Sequence, residues 1–206
     1  MNPRFSNQRN QAMTLVEVLV VIAMLAILAA MLLPANTGGP RKARRINCVN
    51  NLKQISIAYY VWASDNNGKF PMEVSMTNGG TMELVANGKN AWLNFLVMSN
   101  ELNTPRILYC TADADHAYAA KFSSDLQSSV SYFVGLNAAT NYPHSFLSGD
   151  DNFEINGVPV KSGLLQLSTN HATAWTAARH MFTGNIGFAD GSVQQLGNSG
   201  FTNLLH

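Results

Sequence analysis

The chain has 206 residues, 47% hydrophobic and only 12% charged, with 13 Lys/Arg against 12 Asp/Glu and two cysteines. Residues 46–206 hold seven Lys/Arg and eleven Asp/Glu, a net charge of −4, which argues against nucleic acid as a partner. About 160 residues beyond the N-terminal segment suffice for one proper core, and no internal repeat or Gly-rich phosphate loop stands out.

The N-terminal segment is the most informative. From Val18 to Leu33 there is no charged or strongly polar residue, and the apolar run from Met13 to Ala35 is 23 residues long. A secretory signal has an apolar core of about 7–15 residues, whereas a bilayer span needs about 20. A plain anchor accounts for the length but not for Glu17, a carboxylate at the mouth of the run. Near the bilayer centre such a group costs roughly 2.5–3.5 kcal/mol, and it normally has a partner and a function.

The stretch Ala12-Met13-Thr14-Leu15-Val16-Glu17 resembles the type III signal of prepilins and pseudopilins. The resemblance implies a leader over residues 1–12 carrying Arg4 and Arg9, cleavage after Ala12 by a prepilin peptidase, and N-methylation of Met13. Glu17 then becomes the fifth residue of the mature chain, where the family carries its glutamate, and Pro34 sits where many pilins carry a helix-kinking proline. Ala12 departs from the family's usual Gly. A positive-inside count, with Arg41, Lys42, Arg44 and Arg45 after the span, would place the C-terminal side in the cytoplasm. The resemblance implies the reverse: leader inside, residues 36–206 an extracytoplasmic globular domain, and the basic cluster against anionic headgroups.

After the break Thr37-Gly38-Gly39-Pro40, the sequence predicts an amphipathic helix over 40–64. Cys48, Leu52, Ile55, Tyr59 and Trp62 recur at helical spacing on one face, and Asp65-Asn66-Asn67-Gly68 supplies a stop. In the pilin reading this helix continues the membrane span, with a kink or melted segment at Pro34 and the Gly pair. A shorter helix is expected from Ala91 to Leu102. Strands follow over Ser129–Leu136, over Phe153–Val160 with an Asn156-Gly157 hairpin signal, over Ala172–Ala178 as a central strand, and over Ile186–Leu196 turning at Asp190-Gly191. The predicted fold class is α+β: a long N-terminal helix packed on an antiparallel sheet, which is also the pilin layout.

A narrower resemblance covers residues 12–196. Asn47-Cys48-Val49-Asn50-Asn51-Leu52-Lys53-Gln54 and Asp65-Asn66-Asn67-Gly68-Lys69-Phe70-Pro71 are similar to a prepilin-type family abundant in planctomycetes and verrucomicrobia. That family ends in a processing-associated motif of His, nine residues, then Asp-Gly, matched here by His180, Asp190 and Gly191. Tyr109-Cys110-Thr111-Ala112-Asp113 is similar to its Cys-Pro-Ser-Asp segment, departing at Thr111 and Ala112.

His180 and Asp190, if brought together by a hairpin, form a candidate metal or recognition pair; the alternative is that Asp190-Gly191 only makes the turn. Asp113 and Asp115 do not complete a calcium loop, and Asp150-Asp151 reads as a solvated loop tip. No Ser/His/Asp or Cys/His set stands at defined spacing, so no enzyme, catalytic residue, cofactor or metal is expected. The resemblance places both cysteines outside the cytoplasm, where a Cys48–Cys110 disulfide would persist; two separate buried thiols are the alternative. The expected function is a structural subunit of a type IV pilus or type II secretion pseudopilus. Its expected partners are prepilin peptidase, other pilin subunits and the inner membrane, in which it is anchored by a single pass before assembly at the surface or in the periplasm. The alternatives are a tethered surface or ligand-binding protein that uses the signal for export only, and an anchored hydrolase.

Overall fold

A computed structural model describes residues 13–32, 39–86, 88, 90–168 and 170–205. The chain divides into two compact units, residues 1–39 and 40–206. The first contains α1 (Leu15–Leu32), whose one charged residue is Glu17. At 1.5 Å per residue, eighteen residues rise about 27 Å, against about 30 Å of hydrocarbon. Among the described residues no helix is long and apolar enough to cross a membrane. The last residues of the expected Met13–Ala35 span, together with Pro34, the 1–12 leader and the cleavage position Ala12, lie outside the described residues.

The second unit is built on α2 (Gly39–Asp65). The predicted face is the buried one: Cys48, Leu52, Ile55, Tyr59 and Trp62 all enter the main core. The helix stops as expected, with Asn67 and Gly68 both at positive φ. Short helices follow: α3 (Met82–Val85), α4 (Trp92–Val97) and α5 (Ser99–Leu102). The single helix expected over 91–102 is therefore broken in two at Met98, which leaves helical geometry while its side chain is fully buried.

Strands β1 (Tyr132–Val134), β2 (Phe146–Asp150), β3 (Phe153–Ile155), β4 (Val158–Pro159), β5 (Thr173–Trp175), β6 (Thr183–Phe188) and β7 (Val193–Gly197) form two antiparallel sheets. One has the order β1-β2-β6-β7 and the other β4-β3-β5. Leu147 of β2 and Tyr132 of β1 share the main core with the α2 face, so the fold is the α+β layout of helix on antiparallel sheet. The second core gathers Phe153, Trp175, Ile186, Phe188 and Phe201, the last from α6 (Asn198–Leu204).

Both hairpin signals hold. Asn156 and Gly157 have φ of 52° and 76°, the paired left-handed geometry of a two-residue turn, and Gly191 at φ 80° turns β6 into β7. Two strand expectations are corrected. The run 129–136 shortens to Tyr132–Val134, because Ser129 ends a 3-10 turn and its hydroxyl donates to the Asp125 carbonyl at 2.8 Å. The segment 172–178 supplies an edge strand, not a central one. Helix α6 covers that edge: the Trp175 N–H donates to Asn198 Oδ1 at 2.8 Å, one way a sheet edge is blunted.

Candidate functional site

At the start of α1, the Thr14 N–H and Thr14 Oγ1 donate to Glu17 Oε2 at 2.8 and 2.9 Å, and the Glu17 N–H donates back to Thr14 Oγ1 at 3.3 Å. This is a reciprocal capping box, satisfying N–H groups that a helix start otherwise leaves without partners. Met13 is exposed beside it. The spacing Thr14-x-x-Glu17 carries this signal in the sequence, and reading Glu17 only as the family's glutamate passes over it.

In the second unit the largest concentration of reactive side chains is buried. Cys48 on α2 and Cys110, which follows the 3-10 turn Pro105–Leu108, are both free thiols with no exposure. Their sulfurs lie 2.8 Å apart, inside van der Waals contact. His180 Nε2 lies 3.5 Å from Cys110 Sγ and 3.7 Å from Asp150 Oδ2. Asp150 Oδ2 accepts the Asn185 N–H and Asn185 Nδ2, each at 2.8 Å, while Asp150 Oδ1 is buried without a hydrogen bond. The sequence reading of Asp150-Asp151 as a loop tip is thus overturned: Asp150 sits at the end of β2, opposite Tyr132, with no exposure. Burial pushes its carboxyl up to about 7 even though His180 pulls the other way. The hydrogen bond between the thiols lowers Cys110, with His180 adding to the effect, and raises Cys48.

A buried ion network adjoins this cluster. Asp113 accepts from Ser131 Oγ at 2.6 Å and His116 Nδ1 at 2.8 Å, and pairs with Arg179 Nη2 at 2.7 Å. Arg179 also pairs with Asp151 and donates to the Ser131 carbonyl at 2.7 Å. Asp115, the other expected carboxylate, is exposed. Burial alone would raise the Asp113 carboxyl, but the Ser131 bond and the Arg179 charge outweigh it and hold the group below its usual range.

The suggested pairing of His180 with Asp190 does not form. They flank opposite ends of β6, whose six residues span roughly 20 Å. His180 is buried and Asp190 is exposed. Asp190 Oδ1 accepts the Ser192 N–H at 2.8 Å, which is turn chemistry. Tyr60 of α2 donates to the Ala189 carbonyl beside it. His180 instead joins both cysteines, a Cys/His set that sequence spacing had not suggested. A Cys110–His180–Asp150 order has the elements of an activated thiol, but all three groups are at most 4% exposed, so no substrate reaches the sulfur in this conformation. An open groove of ≈ 540 Å³ lies between Asn47, Asn51 and Gln54 of α2 and Arg106 and Tyr118.

A profile of the prokaryotic N-terminal methylation motif matches residues 7–33. The chain carries a prepilin-type signal. Such a signal implies processing by a prepilin peptidase, membrane-anchored export and pilin-type partners in general. No curated protein and no solved structure matches the chain significantly.

Proposed function

We propose that the chain is a pilin-like structural subunit of a type IV pilus or type II secretion pseudopilus. It is cut after Ala12, N-methylated on Met13, and held in the inner membrane with residues 36–206 outside the cytoplasm until assembly. The observation that carries this reading is the methylation-motif match over residues 7–33 on an apolar helix whose one charge is Glu17. Assembly is then physical: subunits leave the bilayer and pack helix against helix. Glu17 of one subunit pairs with the Met13 amine of its neighbour, and the cost of an unpaired buried charge sets the axial register. The His180, Asp190 and Gly191 landmarks act in the globular part, His180 in its buried cluster and Asp190-Gly191 in the β6–β7 turn that faces Tyr60.

Mass spectrometry of the mature N-terminus, combined with electron microscopy of sheared surface filaments, tests this. A methylated Met13 start and filaments containing the chain are expected. Glu17→Gln is expected to leave processed subunits in the membrane and to abolish filaments. An intact Met1, a start near Ala35, or normal filament yield from Glu17→Gln refutes it. Correct processing with no filament under any condition favours a tethered surface protein instead.

A further inference from the structure

Three segments far apart in sequence converge on one buried point. Cys48 comes from α2, Cys110 from the segment after the 3-10 turn Pro105–Leu108, and His180 from the loop before β6, and their donor atoms all lie within 4.8 Å of one another. We propose that Cys48, Cys110 and His180 bind a soft divalent cation of the zinc type, with Asp150 closing the fourth side.

Two thiolates and an imidazole form a donor set that suits zinc. Bond lengths of about 2.3 Å to sulfur and about 2.05 Å to nitrogen give tetrahedral edges of about 3.5 Å for S···N and about 3.4 Å for N···O. The Cys110–His180 separation of 3.5 Å and the His180–Asp150 separation of 3.7 Å fit those edges. The S···S edge would be about 3.8 Å, so the sulfurs, now 2.8 Å apart, must part by about 1 Å. A disulfide would need them to close to about 2.05 Å instead. The sulfurs alone therefore do not choose between the two outcomes.

The surrounding groups do choose. A disulfide leaves the buried Asp150 carboxylate with no charged partner nearer than an imidazole beyond hydrogen-bond reach, and a buried charge without a close partner is costly. A cation gives the carboxylate and the imidazole a common partner. The supports around the cluster also hold the ligands in place, as metal sites require. The Asn185 amides fix Asp150. Arg45 Nη2 and Thr183 Oγ1 both donate to the His180 carbonyl, at 3.1 and 2.5 Å. Met181 and Phe182, directly after His180, both hold positive φ, 55° and 59°, a backbone conformation unfavourable for side chains of this size that gathers at functional positions. Binding balances as one divalent cation and two thiols going to a bis-thiolate complex and two released protons. Because the site is closed, the ion is taken up as α2 docks during folding.

The test uses the full-length protein in detergent, purified anaerobically without chelator and dialysed against micromolar zinc. One zinc per chain is expected, with two titratable thiols after chelation and denaturation. Cobalt substitution is expected to give thiolate-to-cobalt charge-transfer absorption and the visible bands of a tetrahedral ion. Asp150→Asn, checked as folded by circular dichroism, is expected to weaken zinc about 10–100-fold in chelator competition. A chain two hydrogens lighter, with no thiol and no metal, overturns the proposal in favour of the disulfide. Two free thiols with less than half an equivalent of zinc overturns it in favour of simple packing, and unchanged zinc affinity in Asp150→Asn removes the fourth ligand. These readouts are independent of filament assembly.

Discussion

Replacing Asp113 by Asn keeps the side-chain shape and removes one charge from the buried network. The Asp113 side chain is fully buried, accepts four hydrogen bonds, from Ser131 Oγ, His116 Nδ1 and the Asp115 and His116 amides, and has Arg179 as its ion partner. In the amide one oxygen becomes a donor, so a donor faces a donor whichever way the group is turned. Breaking one side of a buried pair costs about 3–5 kcal/mol. Arg179 keeps Asp151 and the Ser131 carbonyl, which points to the lower end, about 3 kcal/mol. For a unit of about 170 residues, 1 kcal/mol moves Tm by roughly 2–4 °C, so a drop of about 6–12 °C is expected in thermal unfolding followed by circular dichroism. The folded-state carboxyl titrates below its unfolded value. Its contribution is therefore complete above about pH 4 and is lost as pH falls through the folded pKa, so the acid limb of the wild-type stability curve is expected to flatten in the variant. In a double-mutant cycle with Arg179→Met, a coupling above about 1 kcal/mol is expected. A Tm drop below about 2 °C, or zero coupling, refutes the network as a source of stability.

Gly184→Ala is expected to destabilise by about 1–3 kcal/mol, because a Cβ there would meet the Trp175 ring at 2.4 Å. Adding Trp175→Leu should recover part of that loss, and denaturant midpoints showing simple additivity would refute the contact. Thr14→Val removes the hydroxyl half of the capping box at about 1 kcal/mol. First-turn amides of α1 should then exchange about fivefold faster in detergent, and unchanged exchange would count against the cap.

Where chemistry is local, the sequence was readable. The spacing of Cys48, Leu52, Ile55, Tyr59 and Trp62 names the buried face of α2, and Asn156-Gly157 and Asp190-Gly191 name two turns, because period and positive φ are properties of a few neighbouring residues. The buried cluster was not readable. Cys48 and Cys110 are 62 residues apart, and His180 lies 70 beyond Cys110, so only sheet topology brings them together. Asp150 misled for a related reason: Ser148-Gly149-Asp150-Asp151 has loop composition, and only its pairing across β2 to Asn185 on β6 supplies the donors that let a carboxylate be buried. The edge position of β5 likewise depends on α6, which arrives from the end of the chain.

Glu17 carries two demands that look incompatible and are not. In a single subunit its carboxylate already satisfies the start of α1, and a negative charge in the first turn is favoured by the helix dipole. A waiting subunit therefore does not hold a bare charge at the mouth of the apolar run. In the proposed assembly the same group meets a neighbour's amine. Both Thr14 bonds fall on Oε2, and among the described residues none falls on Oε1. An ammonium approaching Oε1 would keep the cap and add a charge-assisted bond, roughly twice as strong as a neutral one. Under that proposal the gain on assembly is the pairing itself, with no helix start to unmake, and the Thr14 bonds would already aim the carboxylate toward the neighbour's amine.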